Sequence, residues 1–213
     1  MPSTAISAQG SVLAIGTGSG GTKTVTAVAV GFPTILTSAA HGFAEGDVVT
    51  LAGFTGTDAA MLNGQTVSVR NKTTNTFAVY IDTTGKTITA GSGAATPVTF
   101  TNIGNLKDYS GFDGSASELD KTNLDSTAKE FALGLTDPGQ FSINIDYDDA
   151  NAGHVALRAK QVSGAISNFK LTMPDAQVIT FSGYVKKFTL AGGVDALAKT
   201  SVDIRISGAV TGL

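Results

Sequence analysis

Residues 111–149 read GFDGSASELDKTNLDSTAKEFALGLTDPGQFSINIDYDD, and the change of texture inside them decides the fold. Up to Leu135 the stretch is polar. Glu118, Asp120, Lys121, Asp125, Lys129 and Glu130 are spaced by small or hydroxyl residues. The apolar anchors to Gly134 are thinly spread: Phe112, Leu119, Leu124, Phe131 and Leu133. Fixing one backbone residue costs ~1–2 kcal/mol, while burying one such side chain returns ~1.5–3 kcal/mol. The expectation is a long charged loop or arm that orders only against a neighbour. Asp137-Pro138-Gly139 is turn chemistry, with Pro fixing φ and Gly supplying a positive one. After it, Phe141, Ile143, Ile145 and Tyr147 alternate with Ser142, Asn144, Asp146 and Asp148, the period-two pattern of a strand with one buried face. A charged arm feeding a one-sided strand, with no reactive group between them, points to assembly rather than chemistry.

The rest of the chain agrees with a β-protein. Gly, Thr, Ser, Ala and Val dominate its 213 residues, charged residues make up 15% and Trp is absent, a balance that favours short strands and turns over helices. No window approaches the ~18 apolar residues that a membrane span needs. The N-terminus lacks a basic stretch followed by an apolar core, so no secretory signal is expected. With no cysteine there is no disulfide and no thiolate metal site, which suits assembly in a cytoplasm. Residues 22–100 hold four basic and four acidic residues, so the whole net charge of −3 lies in the remainder. No basic stripe, the footprint of a protein that grips nucleic acid, is present.

The segment S-A-x-E-L-D-x-T-x-L-D-S-x-A-K-E-F-x-x-G-L-x-D-P-G-x-F, from Ser115 to Phe141, resembles the long loop and following strand of tail tube proteins from phages with long, non-contractile tails. The likeness extends more loosely to the first strand and the C-terminus. It implies a β-sandwich or barrel-forming tail-tube fold, and a structural virion protein without cofactor or catalytic role. In such a protein copies of the chain form hexameric rings, which stack with other tail proteins into a tube through which DNA leaves without specific binding. Production in the bacterial host's cytoplasm is implied as well. Duplex DNA carries one phosphate charge per ~1.7 Å, so a basic wall would hold it tightly. The missing basic stripe suits a conduit. On this reading Phe112, Glu118, Leu119, Asp120, Leu124, Asp125, Lys129, Glu130 and Phe131 form an inter-subunit arm. Ser142, Asn144, Asp146 and Asp148 are candidates to line the channel.

Taken in order, residues 1–10 read as an arm and Ser11–Ile15 as a strand. Gly16-Thr17-Gly18-Ser19-Gly20-Gly21 formally satisfies the dinucleotide fingerprint G-x-G-x-x-G. That site needs a helix after it, and TKTVTAVAV is strand-like, so a flexible linker is expected instead. Residues 22–100 read as an inserted all-β domain at the tip of a hairpin made by the flanks, SVLAIG and TFTNIGNLKDYSG. Insertions are tolerated at such tips. Gly- and Ser-rich junctions would let the insert move as a body. The expected division is therefore a core of 1–21 and 101–213, with 22–100 inserted and on the tube exterior. The pattern AHGxxxGDxVxLxG…LNG…NTF within it resembles a small β module that recurs in phage and other repeat-bearing surface proteins. A single helix is expected over residues 152–163, capped by Asn151 and stopped by Gly164. Its apolar stripe is Ala152, Val155, Ala156, Ala159 and Val162. Three alternating strands follow, over 166–173, 177–190 and 200–207.

No catalytic group emerges. His41 and His154 lack a second ligand at metal spacing and read as surface residues. Asp146, Asp148 and Asp149 lack the Gly and late Glu of a calcium loop, and no G-x-S-x-G elbow occurs. The acids of 118–125 are interleaved with lysine, which fits inter-subunit ion pairs better than a glycosidase pair. Aromatics without a basic groove do not make a single-strand platform. The rival to the tail tube reading is an adhesive or carbohydrate-binding virion protein working through the insert.

Overall fold

Strands form where β-branched and aromatic residues alternate with small polar ones, and in the computed structural model, which describes residues 7–212, they account for nearly all regular structure. In chain order they are β1 (Val12–Ser19), β2 (Lys23–Thr24), β3 (Ala27–Ala29), β4 (Thr34–Thr37), β5 (Val48–Ala52), β6 (Thr66–Ser68), β7 (Thr76–Val79) and β8 (Ala94–Ile103). There follow β9 (Leu106–Gly111), β10 (Ser115–Asp120), β11 (Phe131–Asp137) and β12 (Gln140–Asp146), then helix α1 (Ala152–Ser163). Strands β13 (Ser167–Thr172), β14 (Val178–Ala191) and β15 (Lys199–Ile206) complete the fold. It is mainly β, with antiparallel pairing and one α-helix among the described residues. Residues 1–6, part of the expected N-terminal arm, lie outside the described residues.

The chain divides into two compact units. The first runs to Thr101 and takes in Asn168–Thr180 and the residues from Thr211; the second holds Asn102–Ser167 and Phe181–Val210. This grouping differs from the division expected at residues 21 and 101. In the first unit β1 is hydrogen-bonded to β8 on one side and to β13 on the other. Thr17 pairs its hydroxyl with Thr101 and Thr22 with Thr96, so β1 and β8 run antiparallel as the flanks predicted. Gly16–Ser19 are strand, which corrects the flexible-linker reading: they continue β1 beyond its register with β13, alongside β8, where backbone pairing does not depend on the side chains. Residues between Val25 and Ala95 also make a core of their own, with Leu36, Val49, Leu51, Leu62, Phe77 and Val79 almost fully buried. A hydroxyl triangle ties this region to β14 and the chain end: Ser68 to Thr180 at 2.5 Å, Ser68 to Thr211 at 3.0 Å and Thr180 to Thr211 at 2.6 Å.

In the second unit the order is β14-β15-β12-β9, all antiparallel where registered. Phe141, Ile143 and Ile145 from β12 and Val202, Ile204 and Ile206 from β15 fill its core. Helix α1 has the bounds, cap and stop its sequence dictates. The Asn151 side chain accepts from the Gly153 and His154 amides, and Gly164 sits in the left-handed region at φ 64°.

The helix buries a different face from the expected one. Gly153, His154 and Leu157 point inward, whereas Val155 and Val162 are exposed, Val162 at 81%. Close approach decides this, because a Cβ at Gly153 would run into the carbonyl of Asn102, so only glycine lets the helix lie there. His154 follows it inside. Its Nδ1 accepts from the Asp148 amide (3.1 Å) and its Nε2 donates to the Gly104 carbonyl (2.8 Å), a tautomer assigned from the network. His41 is buried in the same manner, Nδ1 accepting from Phe43 N (3.0 Å) with its ring against Phe43 and Phe77. Both histidines are therefore satisfied interior groups and not surface residues. Period counting alone could not show that a backbone amide waits for each ring.

Candidate assembly surfaces

The arm expected from Gly111 onward is a two-stranded ribbon, β10 against β11, with Glu118 opposite Leu133, Leu119 opposite Ala132 and Asp120 opposite Phe131. A bulge lies between Ala116 and Glu118. The loop reading is corrected here. Phe131, Leu133 and Leu135 alternate with Ala132 and Gly134, a period of two hidden by the charged residues before them.

The ribbon's base is fastened to the second unit. The Gly139 amide donates to Asp137 (2.9 Å), the Gln140 amide to Asp113 (3.0 Å), and Arg205 forms an ion pair with Asp137. The Gly139 amide and, after it, the Arg205 guanidinium hold the Asp137 carboxyl below its ordinary value. Gly139 has φ 80° and no room for a Cβ beside Asp113, so the turn requires glycine.

The tip is tied to itself. Lys121 N donates to the Glu130 carbonyl (2.8 Å), Thr122 N to the Asp120 carboxylate (2.8 Å), Asp125 N to the Asn123 side chain (2.8 Å) and Asn123 N to the Ser126 hydroxyl (3.1 Å). The Thr122 hydroxyl and, after it, the Thr122 amide favour the charged form of Asp120 and lower its pKa. These bonds leave Leu124 pointing away from the chain, 105% exposed. Leu133 at 79% and Leu135 at 92% are almost as bare, and Leu119 and Phe131 are more than half exposed. Five large apolar side chains on one ribbon face water.

Of the predicted arm residues, Glu118, Leu119, Asp120, Leu124, Asp125, Lys129, Glu130 and Phe131 all lie on this ribbon or its tip. Phe112 does not. It packs on Phe141 and Phe181, with ring centroids 5.0 and 5.4 Å away, half-buried against the second unit's core. Leu135 was missed, because it sits where the loop reading gave way to the turn.

The polar face of β12 is real for three of its four candidates. Ser142 donates to Asp203 (2.8 Å), Asn144 to Asp108 (2.7 Å), and Asp146 pairs with Lys107 (2.9 Å). Asp148 is a correction: β12 ends at Asp146, and Asp148 lies in the turn before α1, its carboxylate accepting from Ala150 N (3.0 Å). The same face continues on β15, where register sets Ser201 beside Asn144 and Asp203 beside Ser142. Sequence reasoning gave no pairing partner and so missed them. Charges of both signs share this face, with Asp108, Asp146 and Asp203 among Lys107, Lys187 and Lys199.

Among the described residues, no cluster of metal-ligating side chains accompanies these surfaces. The family description that matches the sequence, over residues 67–178, is the lambda-like phage tail tube, TTP. The match takes in the ribbon, β12 and α1, and spans more than half of the chain. The chain belongs to the lambda-like phage tail tube family. Structural protein 3 of Pseudomonas phage PAJU2 is 22% identical over 129 residues, 50% of this chain and 79% of that protein. Two solved structures are similar at 19% identity and a TM-score of 0.46. They are the tail of an empty gene transfer agent particle refined with C6 symmetry, covering 54% of this chain and 86% of that one, and the virion of the native particle, covering 54% and 88%. This tail tube protein is a structural component of a phage-like particle, not an enzyme.

Proposed function

We propose that this tail tube protein assembles through the β10–β11 ribbon into hexameric rings that stack into the tail tube, the conduit by which DNA is ejected. The observation that carries the reading is the ribbon's row of bare apolar side chains around Leu124, Leu133 and Leu135. A two-stranded ribbon is marginal alone in water, and each such side chain buried against a neighbour returns ~1.5–3 kcal/mol. The alternating acids and lysines set register and partner choice, since exposed pairs contribute only ~0–1 kcal/mol. Ser142 and Asn144, with Asp203, face the channel, where mixed charge lets phosphates slide. The insert of residues 22–100, with a core of its own, lies on the tube exterior, because a folded body in the lumen would obstruct duplex DNA. Other tail proteins cap the tube ends. Electron microscopy of the concentrated protein tests this: tubes with six-fold rings and outer density for the insert are expected. A dispersed monomer at every concentration, or insert density in the lumen, contradicts it.

A second reading attaches to the insert. Phe32 (66% exposed) and Tyr80 (56%) lie with ring centroids 6.0 Å apart beside the exposed Val30 and Ile35. Aromatic faces left in water suit a saccharide ring, and an adhesive role through this patch fits a virion surface. Glycan-array binding by the whole protein, lost in Phe32→Ala and Tyr80→Ala, is the expected result. No binding to any glycan rejects it.

A further inference from the structure

Strands β9 and β12 have two unlike ends. At the Gly111 and Gln140 end the ribbon departs, carrying Leu124 at its tip. At the Leu106 and Asp146 end there is an open cavity of about 480 Å³, walled by Lys107, Asp146, Thr189, Ala191, Lys199 and Ser201. Seven residues of β12 separate the two, about 20 Å of strand. Ala191 adds apolar surface to the charged lining. The loop that joins β14 to β15, between the lining residues Ala191 and Lys199, exposes Val194 and Leu197, Val194 at 95%. One oxygen of Asp146 is paired with Lys107, while the other, Oδ1, is buried with no hydrogen-bond partner.

We infer that the ribbon tip of one copy seats Leu124 in this cavity of the next copy, joining subunits head to tail. The inference rests on the reading that the ribbon joins copies, and names the surface that receives it. The occupant is a second copy of this chain for three reasons. Knob and cavity lie at opposite ends of one strand pair, the placement that a heterologous, open-ended contact requires and an isologous dimer does not. Each end exposes apolar side chains that the other can cover. The charges also match: the tip carries Asp125 with Lys121 and Lys129, and the cavity carries Lys107 and Lys199 with Asp146. The tip's own hydrogen bonds hold Leu124 outward before contact, so little ordering is left to the docking step. Seating covers the Asp146 end of the polar face and leaves the Ser142 and Asp203 end open to the channel.

The absence of cysteine in the chain allows a direct test. Leu124→Cys protein is mixed with Ala191→Cys protein under conditions in which the wild type forms tubes, and then oxidised. Disulfide-linked dimers of the two variants are expected. Leu124→Cys mixed with Val155→Cys, on the outer face of α1, should give none. Tubes in which Leu124→Cys links to Val155→Cys, or to neither, overturn the inference and leave ribbon-mediated assembly standing. Wild-type protein that never assembles overturns both. Thr189→Trp, at an exposed position, fills the cavity without touching the core. Tube yield should fall by about tenfold with an unchanged circular dichroism spectrum. Polymerisation of Thr189→Trp at the wild-type level overturns the inference independently.

Discussion

The region from Val25 to Ala95 and the β10–β11 ribbon use the same kinds of residue to opposite ends. In the first, Leu36, Leu51, Leu62 and Phe77 close on one another and leave almost no surface. In the second, Leu119, Leu124, Phe131, Leu133 and Leu135 remain in water, on two strands that pair only with each other and on the tip between them. A sequence can therefore spend apolar residues on its own stability or hold them for a partner. The distinction is not in composition. It lies in whether the other strands of the sheet supply an opposing layer, and the ribbon has none within its own chain.

The largest effect is expected where that layer exists. Phe77→Ala removes a ring with no solvent exposure and should cost about 3–5 kcal/mol of stability. A denaturant titration followed by fluorescence or circular dichroism checks it. A loss as small as that of a surface change would mean that the region does not hold a packed core, and the contrast would fail.

Next comes the ribbon, where stability and assembly should separate. Leu124→Ala with Phe131→Ala should leave the monomer's unfolding free energy within about 0.5 kcal/mol of wild type. Sedimentation of the same protein should show no tubes. A double variant that still forms tubes shows that the exposed row has no part in assembly. One that unfolds shows that the row is packed within the monomer.

How much of this the sequence discloses differs from place to place. Strand β12 and helix α1 were legible because their signals are local: alternation after Asp137-Pro138-Gly139, and a cap and stop at Asn151 and Gly164. The helix's inward face was not, since Gly153 and His154 are chosen by a carbonyl at Asn102 and by Gly104, residues distant along the chain. Eight of the proposed arm residues fall on the ribbon or its tip, yet its strand character was masked, because the short alternation of Phe131, Leu133 and Leu135 follows a charged stretch that has none. Phe112 shows the reverse error. Its neighbours are polar, and only the rings of Phe141 and Phe181 reveal that it points inward.

A smaller effect is expected from charge. Lys129→Ala removes one exposed cation near the tip, and such a group contributes ~0–1 kcal/mol to a contact. The critical concentration for tube formation should rise by a few-fold at most, and the difference should shrink as salt is added. A loss of tubes as complete as that of the apolar double variant would place charge, and not apolar contact, at the centre of the joint.

The smallest effect concerns the ribbon's base and acid. The Gly139 amide and then Arg205 stabilise the Asp137 carboxylate and lower its pKa from 3.8. A depressed carboxyl contributes stability that is present above its unfolded value and is lost as pH falls through the lowered folded value. The group is solvent-exposed, so solvent screens much of the gain and the fold itself should survive the transition. What should change is local. The Gly139 amide resonance should titrate at a pH below 3.8, and Asp137→Asn should abolish that step without shifting the β12 amides. If the Gly139 signal titrates at or above 3.8, the carboxylate is not held by that amide and the ribbon is anchored by other contacts. If the step lies below 3.8 and Arg205→Gln moves it upward only part of the way, the amide is the larger of the two holds. The turn and not the ion pair then sets the direction in which the ribbon leaves the sheet.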